Sequence, residues 1–297
     1  MTLLDCTLRT SGQLTGGTPS PQLVADYLAV CARLGIDVIE LGRVHDPADR
    51  TAGAPLPDVL PAAVRPERYG PRFAVLLDAA ELPSGDAPAA AAADRIAERI
   101  TGAPLPVGLV RVAVRYDEVA RAAAPLGRLR EAGFGVCLLL AEIDLASYPE
   151  LDRCLAETAT LGPLDAVFLV DSLGSLRPER VIELVQSTRA AVPAPVGIHA
   201  HDNQGFALHN TVVARSAGAT WQDAAVYGIG PGAGVTRTEQ LLALLGAAPS
   251  DLGPLLELIA THVAPLKRRY GWGAGPREVM AGLARIPVTA VRGLGAS

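Results

Sequence analysis

The chain has 297 residues, of which 49% are hydrophobic, and a formal net charge of −5. That composition excludes a disordered chain, and the mild acidity excludes a nucleic-acid binder, which needs a clustered basic face. No run of about 20 apolar residues offers a membrane span, and Met1–Cys6 lacks the basic head and apolar core of a signal peptide, so the expected location is the cytoplasm.

Short apolar runs alternate with amphipathic stretches along the chain. The first run covers residues 3–8. A helix follows over 21–34, with apolar residues at 24, 25, 28, 29, 31 and 34, close to a 3.6 period. The next run is 38–41. Residues 43–70 are rich in Pro and Ala and read as a long loop with one short helix near 57–64. Further runs lie at 73–77, 107–114, 136–140, 166–170, 196–198 and 224–229, interleaved with helical patterns at 178–190, 205–217 and 238–245. Ser175 stands before Pro178 as a cap signal, and Thr236 with Glu239 has capping-box spacing.

Runs of three to eight Val-, Ile- and Leu-rich residues fit strands buried on both faces, as in parallel sheets. Eight such βα units predict a (β/α)8 barrel over 1–247. Helical segments at 251–269 and 276–283 form a short C-terminal extension over 248–297. A doubly wound sheet is the alternative, but residues 9–17, after the first strand, lack the GxGxxG phosphate turn.

Cys6, Cys31, Cys137 and Cys154 show no CxxC spacing, so they read as buried free thiols. Of the 26 Lys and Arg residues, one is a lysine, Lys267. A Schiff-base enzyme needs a lysine amine in its pocket. Lys267 falls in the C-terminal extension, which places it away from the strand ends.

Barrel enzymes react at the C-terminal ends of their strands. The polar residues expected there are Arg9, Thr10 and Gln13 after strand one, Glu40 and Arg43 after strand two, and Asp78 after strand three. Arg115, Glu142 and Asp171 follow strands four to six. His199, His201 and Asn203 follow strand seven, and the glycine-rich turn with Gly230 and Gly232 follows strand eight. Residues two apart on a strand share a face, so His199 and His201 can bind one divalent metal. The buried guanidinium of Arg9 needs an anionic partner, either Glu40 or a substrate carboxylate or enolate. Arg43 and Arg115 suit a substrate carboxylate. Asp171 reads as a ligand contact or a helix cap.

Five segments, in order, carry a family resemblance. They are Asp5-Cys6-Thr7-Leu8-Arg9, Ile39-Glu40-Leu41-Gly42, Asp171-Ser172-Leu173-Gly174-Ser175, His199-Ala200-His201-Asp202-Asn203-Gln204-Gly205 and the glycine-rich turn at 228–234. Together they resemble the DRE-TIM metallolyases, which include 4-hydroxy-2-oxovalerate aldolases, 3-hydroxy-3-methylglutaryl-CoA lyases and isopropylmalate synthases. The resemblance implies C–C bond cleavage or formation beside a 2-oxo acid or acyl-CoA, in a biosynthetic lyase. It implies a divalent metal (Mn²⁺, Mg²⁺, Co²⁺ or Zn²⁺) held by His199 and His201, with Arg9 stabilising an enolate and Glu40 matching the glutamate of the family name. His201 or a bound water is the candidate base.

Three positions depart from the family pattern. Thr10 stands where the family has a metal-binding aspartate, Val235 where the lyase branch has an asparagine ligand, and Gln13 where the hydroxy-oxovalerate aldolases have a catalytic histidine. Three readings follow. The substrate supplies the missing negative ligand, the enolate is held without metal by Arg9, the histidines and turn amides, or the chain is an inert homologue that binds a partner. An aldolase acting on a 2-oxo acid leads, with a Claisen-type acyl-CoA condensing enzyme as the alternative. The expected partners are a small-molecule substrate and further copies of the chain, with no nucleic acid and no membrane.

Overall fold

The computed structural model describes residues 1–17, 19–49, 72–103 and 106–291. Eight parallel strands pair in chain order and close into a barrel, the eighth returning to the first. The strands are β1 (Thr2–Asp5), β2 (Val38–Val44), β3 (Arg72–Asp78), β4 (Val107–Arg115), β5 (Gly135–Ala141), β6 (Ala166–Asp171), β7 (Val196–Ala200) and β8 (Trp221–Ala224). The helices between them are α1 (Thr7–Thr15), α2 (Pro21–Leu34), α3 (Asp86–Thr101), α4 (Ala123–Glu131), α5 (Tyr148–Thr158), α6 (Pro178–Ala191), α7 (Ala207–Ser216) and α8 (Thr238–Leu244). This is the (β/α)8 barrel the sequence predicts. Apolar runs dominate the strands because helices cover their outer faces while side chains fill the lumen.

Two strand boundaries differ from expectation. β1 stops at Asp5, and residues 7–15 form α1. Asp5 starts that helix by accepting the Thr7 amide at 2.9 Å, while its other oxygen accepts from Thr238 at 2.5 Å and ties β1 to α8. The eighth strand is 221–224, not 224–229. Its pairing with β1 runs from Trp221 to Ala224, after which the chain turns at Tyr227 with φ of 56°. Polar Gln222 and Asp223 broke the apolar run, so the strand read too late.

The two cap signals also resolve differently. Ser175 gives its amide to Asp171, and Glu239 accepts the Tyr227 amide. The helix expected near 57–64 lies outside the described residues.

The C-terminal extension comprises α9 (Pro249–Leu258), a π-turn at Ile259–Val263, α10 (Ala264–Tyr270) and α11 (Pro276–Ala284). α9 packs on α2 and α8, and Leu255, Leu258, Ile259 and Val263 join the barrel's own hydrophobic core. His262 Nε2 meets Asp26 Oδ2 of α2 at 2.9 Å.

The extension then reaches the strand ends, which corrects its expected position. Asn203 donates to the Glu278 carbonyl at 3.2 Å, and Arg285 donates to the Asp144 carbonyl at 2.6 Å. α11 thus lies on the loops that follow β5, β6 and β7. Lys267 is also at the rim: its Nζ sits 4.8 Å from the Tyr227 ring centre and 5.5 Å from that of Trp272. All four cysteines are buried and free.

Candidate active site

β7 brings His199 and His201 to one face, with ring centres 5.1 Å apart. Each ring is oriented through Nδ1. His201 Nδ1 lies 2.8 Å from the Asp171 backbone oxygen, and a carbonyl only accepts, so this nitrogen carries the proton. His199 Nδ1 lies 2.9 Å from Asp223 Oδ2 and donates to that carboxylate. Both Nε2 lone pairs are left available. Burial lowers both pKa values, that of His201 to about 3, so both rings are neutral near pH 7. The chain after β8 runs back beside His201, pairing it with Val235, and Thr236 N bonds the Ala200 oxygen.

A buried chain of charges lies beneath the pair. Arg9, on α1, donates Nε to Glu40 at 2.7 Å and Nη1 to Gln13 at 2.9 Å. Glu40 is fully buried and also accepts from Arg111 Nη1 at 2.8 Å. Arg111 of β4 is fully buried, donates Nη2 to Asp223 at 2.6 Å, and stacks 4.2 Å over the Phe168 ring. The order is therefore Gln13–Arg9–Glu40–Arg111–Asp223–His199. Burial alone would raise the pKa of Glu40 and Asp223; Arg111 with Arg9 outweighs it at Glu40, and Arg111 with His199 outweighs it at Asp223, holding both carboxylates ionised, below their usual range.

Arg111 and Asp223 were not expected at the site. The available signal was a lone charge inside the apolar run 107–114, because a buried arginine requires partners. Asp223 was hidden by the late placement of strand eight.

The other expected residues separate into three groups. Glu40 and Gln13 surround Arg9 and hold its guanidinium rather than facing a substrate. Thr10 is buried, and its hydroxyl donates to the Cys6 carbonyl at 2.9 Å, one turn back along α1. Asn203 is engaged by α11.

The second group is displaced from the expected chemistry. Arg43 is already paired with Asp78 and Glu81, at 2.8 and 2.7 Å. Arg115 is gripped by both oxygens of Asp117 and by Glu142. These guanidiniums are neutralised by carboxylates of the chain, so neither is a free receptor for a substrate carboxylate. Asp171 sits one residue past Val170, which is in register with His199, so strand alternation turns its side chain to the opposite face. Its Oδ1 accepts the Ser175 and Leu176 amides, and it serves the site through its backbone oxygen.

Third, the glycine-rich turn is a built loop. Gly232 accepts the Gly273 amide at 3.0 Å. Gly234 has φ of +75°, and a Cβ there would stand 2.1 Å from the Gly228 oxygen, so only glycine fits.

Residues 117–263 match the HMGL-like family. A 4-hydroxy-2-oxovalerate aldolase of Pelotomaculum thermopropionicum is 31% identical over 273 residues, covering 90% of this chain and 77% of that protein. The chain belongs to the HMGL-like family. A second 4-hydroxy-2-oxovalerate aldolase, from Brevibacillus brevis, is 37% identical over 173 residues, which is 56% of this chain and 50% of that relative.

Among solved structures, the N-terminal domain of a putative aldolase from Bacteroides vulgatus superposes with a TM-score of 0.80 at 25% identity, covering 97% of this chain and 94% of that one. The carboxyl transferase domain of Rhizobium etli pyruvate carboxylase shares the fold, with a TM-score of 0.69 at 15% identity over 94% of this chain and 50% of that one.

HMGL-like enzymes are generally dependent on a divalent metal. The donor set of this member can be tested against that need. Among the described residues, no group of three or more His, Cys, Asp or Glu side chains could hold a metal ion. Thr10 and Val235 offer no anion. The histidine pair nevertheless presents two neutral nitrogens in the tautomer a metal requires, each with its Nδ1 fixed by an acceptor. The residues therefore fit a two-nitrogen site completed from outside the chain. Borderline metals suit such imidazole ligands, whereas Mg²⁺ prefers oxygen.

Proposed function

We propose that this HMGL-like lyase cleaves a 4-hydroxy-2-oxo acid into a short 2-oxo acid and an aldehyde, and that its metal site is completed by the substrate. The observation that carries this reading is the pair of neutral histidines with both Nε2 lone pairs available, in electrostatic reach of Arg9. The names of the relatives supply the substrate class.

In the cleavage direction the substrate loses its C4 hydroxyl proton and the C3–C4 bond breaks. The C4 oxygen becomes the aldehyde, and the bonding electrons move into an enolate on the 2-oxo oxygen. Arg9 is fixed by Glu40 and Gln13 through Nε and Nη1, leaving Nη2 to hold the developing oxyanion. His199 and His201 would hold a divalent metal through Nε2, and that metal would polarise the 2-oxo group. The low pKa of His201, about 3, suits a ligand and makes it a poor base near pH 7, so bound water would relay the hydroxyl proton out to a base in bulk solvent rather than hold it. The enolate is then protonated at C3. The buried free thiols fit a reducing compartment such as the cytoplasm.

Thr10 and Val235 favour a second reading, an inert homologue acting through a partner, and one experiment separates the two. Purified protein is given 4-hydroxy-2-oxovalerate with Mn²⁺, Co²⁺ or Zn²⁺, or with excess chelator, and pyruvate release is followed. Metal-dependent release that falls about 10²–10³-fold in Arg9→Ala is the expected result. No release with any metal overturns the lyase reading, and full activity in chelator overturns the metal.

A further inference from the structure

Asp223 is a buried carboxylate at the end of the barrel lumen, between two partners. Its Oδ2 accepts from His199 Nδ1 at 2.9 Å and from Arg111 Nη2 at 2.6 Å. Arg111 is anchored in turn by Glu40 and by the Phe168 ring. Neither Arg111 nor Asp223 reaches solvent: they are 0% and 1% exposed.

A neutral imidazole has two tautomers of similar energy, and only one leaves Nε2 unprotonated. The hydrogen bond at Nδ1 selects between them. An ionised carboxylate can only accept, so it enforces a proton on Nδ1.

We propose that Asp223, clamped by Arg111, is the positioning residue that keeps the proton of His199 on Nδ1 and its Nε2 lone pair turned to the reaction site. The same arginine binds Glu40, which holds Arg9. One buried side chain therefore registers the nitrogen half of the site against the cationic half. His201 has a different and independent device, the Asp171 backbone oxygen, which no side-chain substitution removes. The two histidines thus provide an internal comparison. The inference rests on the reading of His199 as a site residue, but its tautomer test needs neither substrate nor turnover.

The test is long-range ¹⁵N–¹H correlation NMR on the full-length protein, which distinguishes protonated from bare ring nitrogens. In the native protein both histidines are expected with Nδ1 protonated and Nε2 bare. In Asp223→Leu the one oxygen that accepts from both Arg111 and His199 is removed, while Arg111 keeps Glu40. With no acceptor at Nδ1, nothing holds the His199 proton there. His199 is then expected to show protonated Nε2 while His201 is unchanged. Co²⁺ binding in the presence of pyruvate, followed by calorimetry, is expected to weaken about 10–100-fold.

The proposal is overturned by native His199 with protonated Nε2, a result that needs no variant. It is also overturned if Asp223→Leu leaves the tautomer and the affinity within about twofold, or if both histidines shift together, which would mark general loosening. Failure of Co²⁺ to bind the native protein would count against the metal reading alone and leave the tautomer result standing.

Discussion

Thr10 is where a single residue decides the character of the site. Its hydroxyl is neutral and donates to Cys6 one turn back, so the chain adds no charge to the two histidine nitrogens. Thr10→Asp places a carboxylate in the first turns of α1, where the helix dipole favours it. Metal affinity without substrate should then rise roughly tenfold or more, because ligand charge sets affinity; an unchanged calorimetric affinity would sever position 10 from the metal. Asp171 gives a second prediction. Burial and the neighbouring Asp144 push its pKa up to about 8, well above the usual carboxylate range, against the Ser175 and Leu176 amides and Arg285, which pull it down. The folded state therefore holds a proton that the unfolded chain has lost across that window. Its contribution favours folding at low pH, declines as pH rises from about 4 to about 8, and is flat above. Asp171→Asn should flatten the decline in Tm between about pH 5 and about pH 8; a native Tm that does not fall across that window would contradict the shift. At this scale the sequence revealed what strand periodicity exposes. The His-x-His pair and the buried Arg9 are local patterns. The Arg111–Asp223 contact joins residues 112 positions apart and has no local signature. Arg43 and Arg115 suit a carboxylate by residue type, but a sequence does not show which carboxylates of the chain reach an arginine first.

The helix α11 is the element that most changes the picture of the mouth. It meets the barrel through Gly282, where a Cβ would stand 3.0 Å from the Asn203 Cβ, 3.1 Å from the Gln204 Cγ and 3.1 Å from the Gly174 oxygen. Those atoms belong to the loops after β6 and β7, which end two residues from His201 and three from Asp171. Gly282→Leu forces α11 away from that surface and strains the bonds of Glu278 to Asn203 and of Arg285 to Asp144. A cost of about 1–3 kcal/mol in stability is expected, with a raised KM and an unchanged far-UV circular dichroism spectrum. Native Tm and KM in this variant would mean that α11 is a bystander. The helix itself was legible at 276–283, within a residue of its observed end. Its docking was not, because an amphipathic pattern shows that a face is buried without showing against what. Strand eight was misread for a related reason. Apolar runs mark strands whose lumen side is hydrophobic, and here the lumen carries a layer of paired charges.

Across the whole molecule, one lysine in 297 residues limits how this barrel can handle an enolate. The sequence places Lys267 away from the strand ends, and the fold places it on the rim beside the turn after β8. Its surroundings there are structural. Nζ faces the rings of Tyr227 and Trp272, Trp272 Nε1 donates to the Tyr227 carbonyl at 3.0 Å, and the Gly273 amide donates to Gly232. The lysine thus fastens the extension to the glycine-rich turn through two ring faces. Burial lowers its pKa, with Arg237 adding to the shift. A Schiff base would require the amine to leave both rings and enter the mouth, giving up cation–π contacts worth about 0.5–2 kcal/mol. In the proposed reaction the enolate would therefore be held by Arg9, by a metal on the histidine pair, or by both. Borohydride added with pyruvate should leave the protein mass unchanged and its activity intact. Lys267→Ala should lower the Tm, loosening the rim, while turnover persists. A pyruvyl adduct on Lys267, or loss of turnover in a folded Lys267→Ala variant, would move the chemistry to the lysine and remove the need for the two-histidine site.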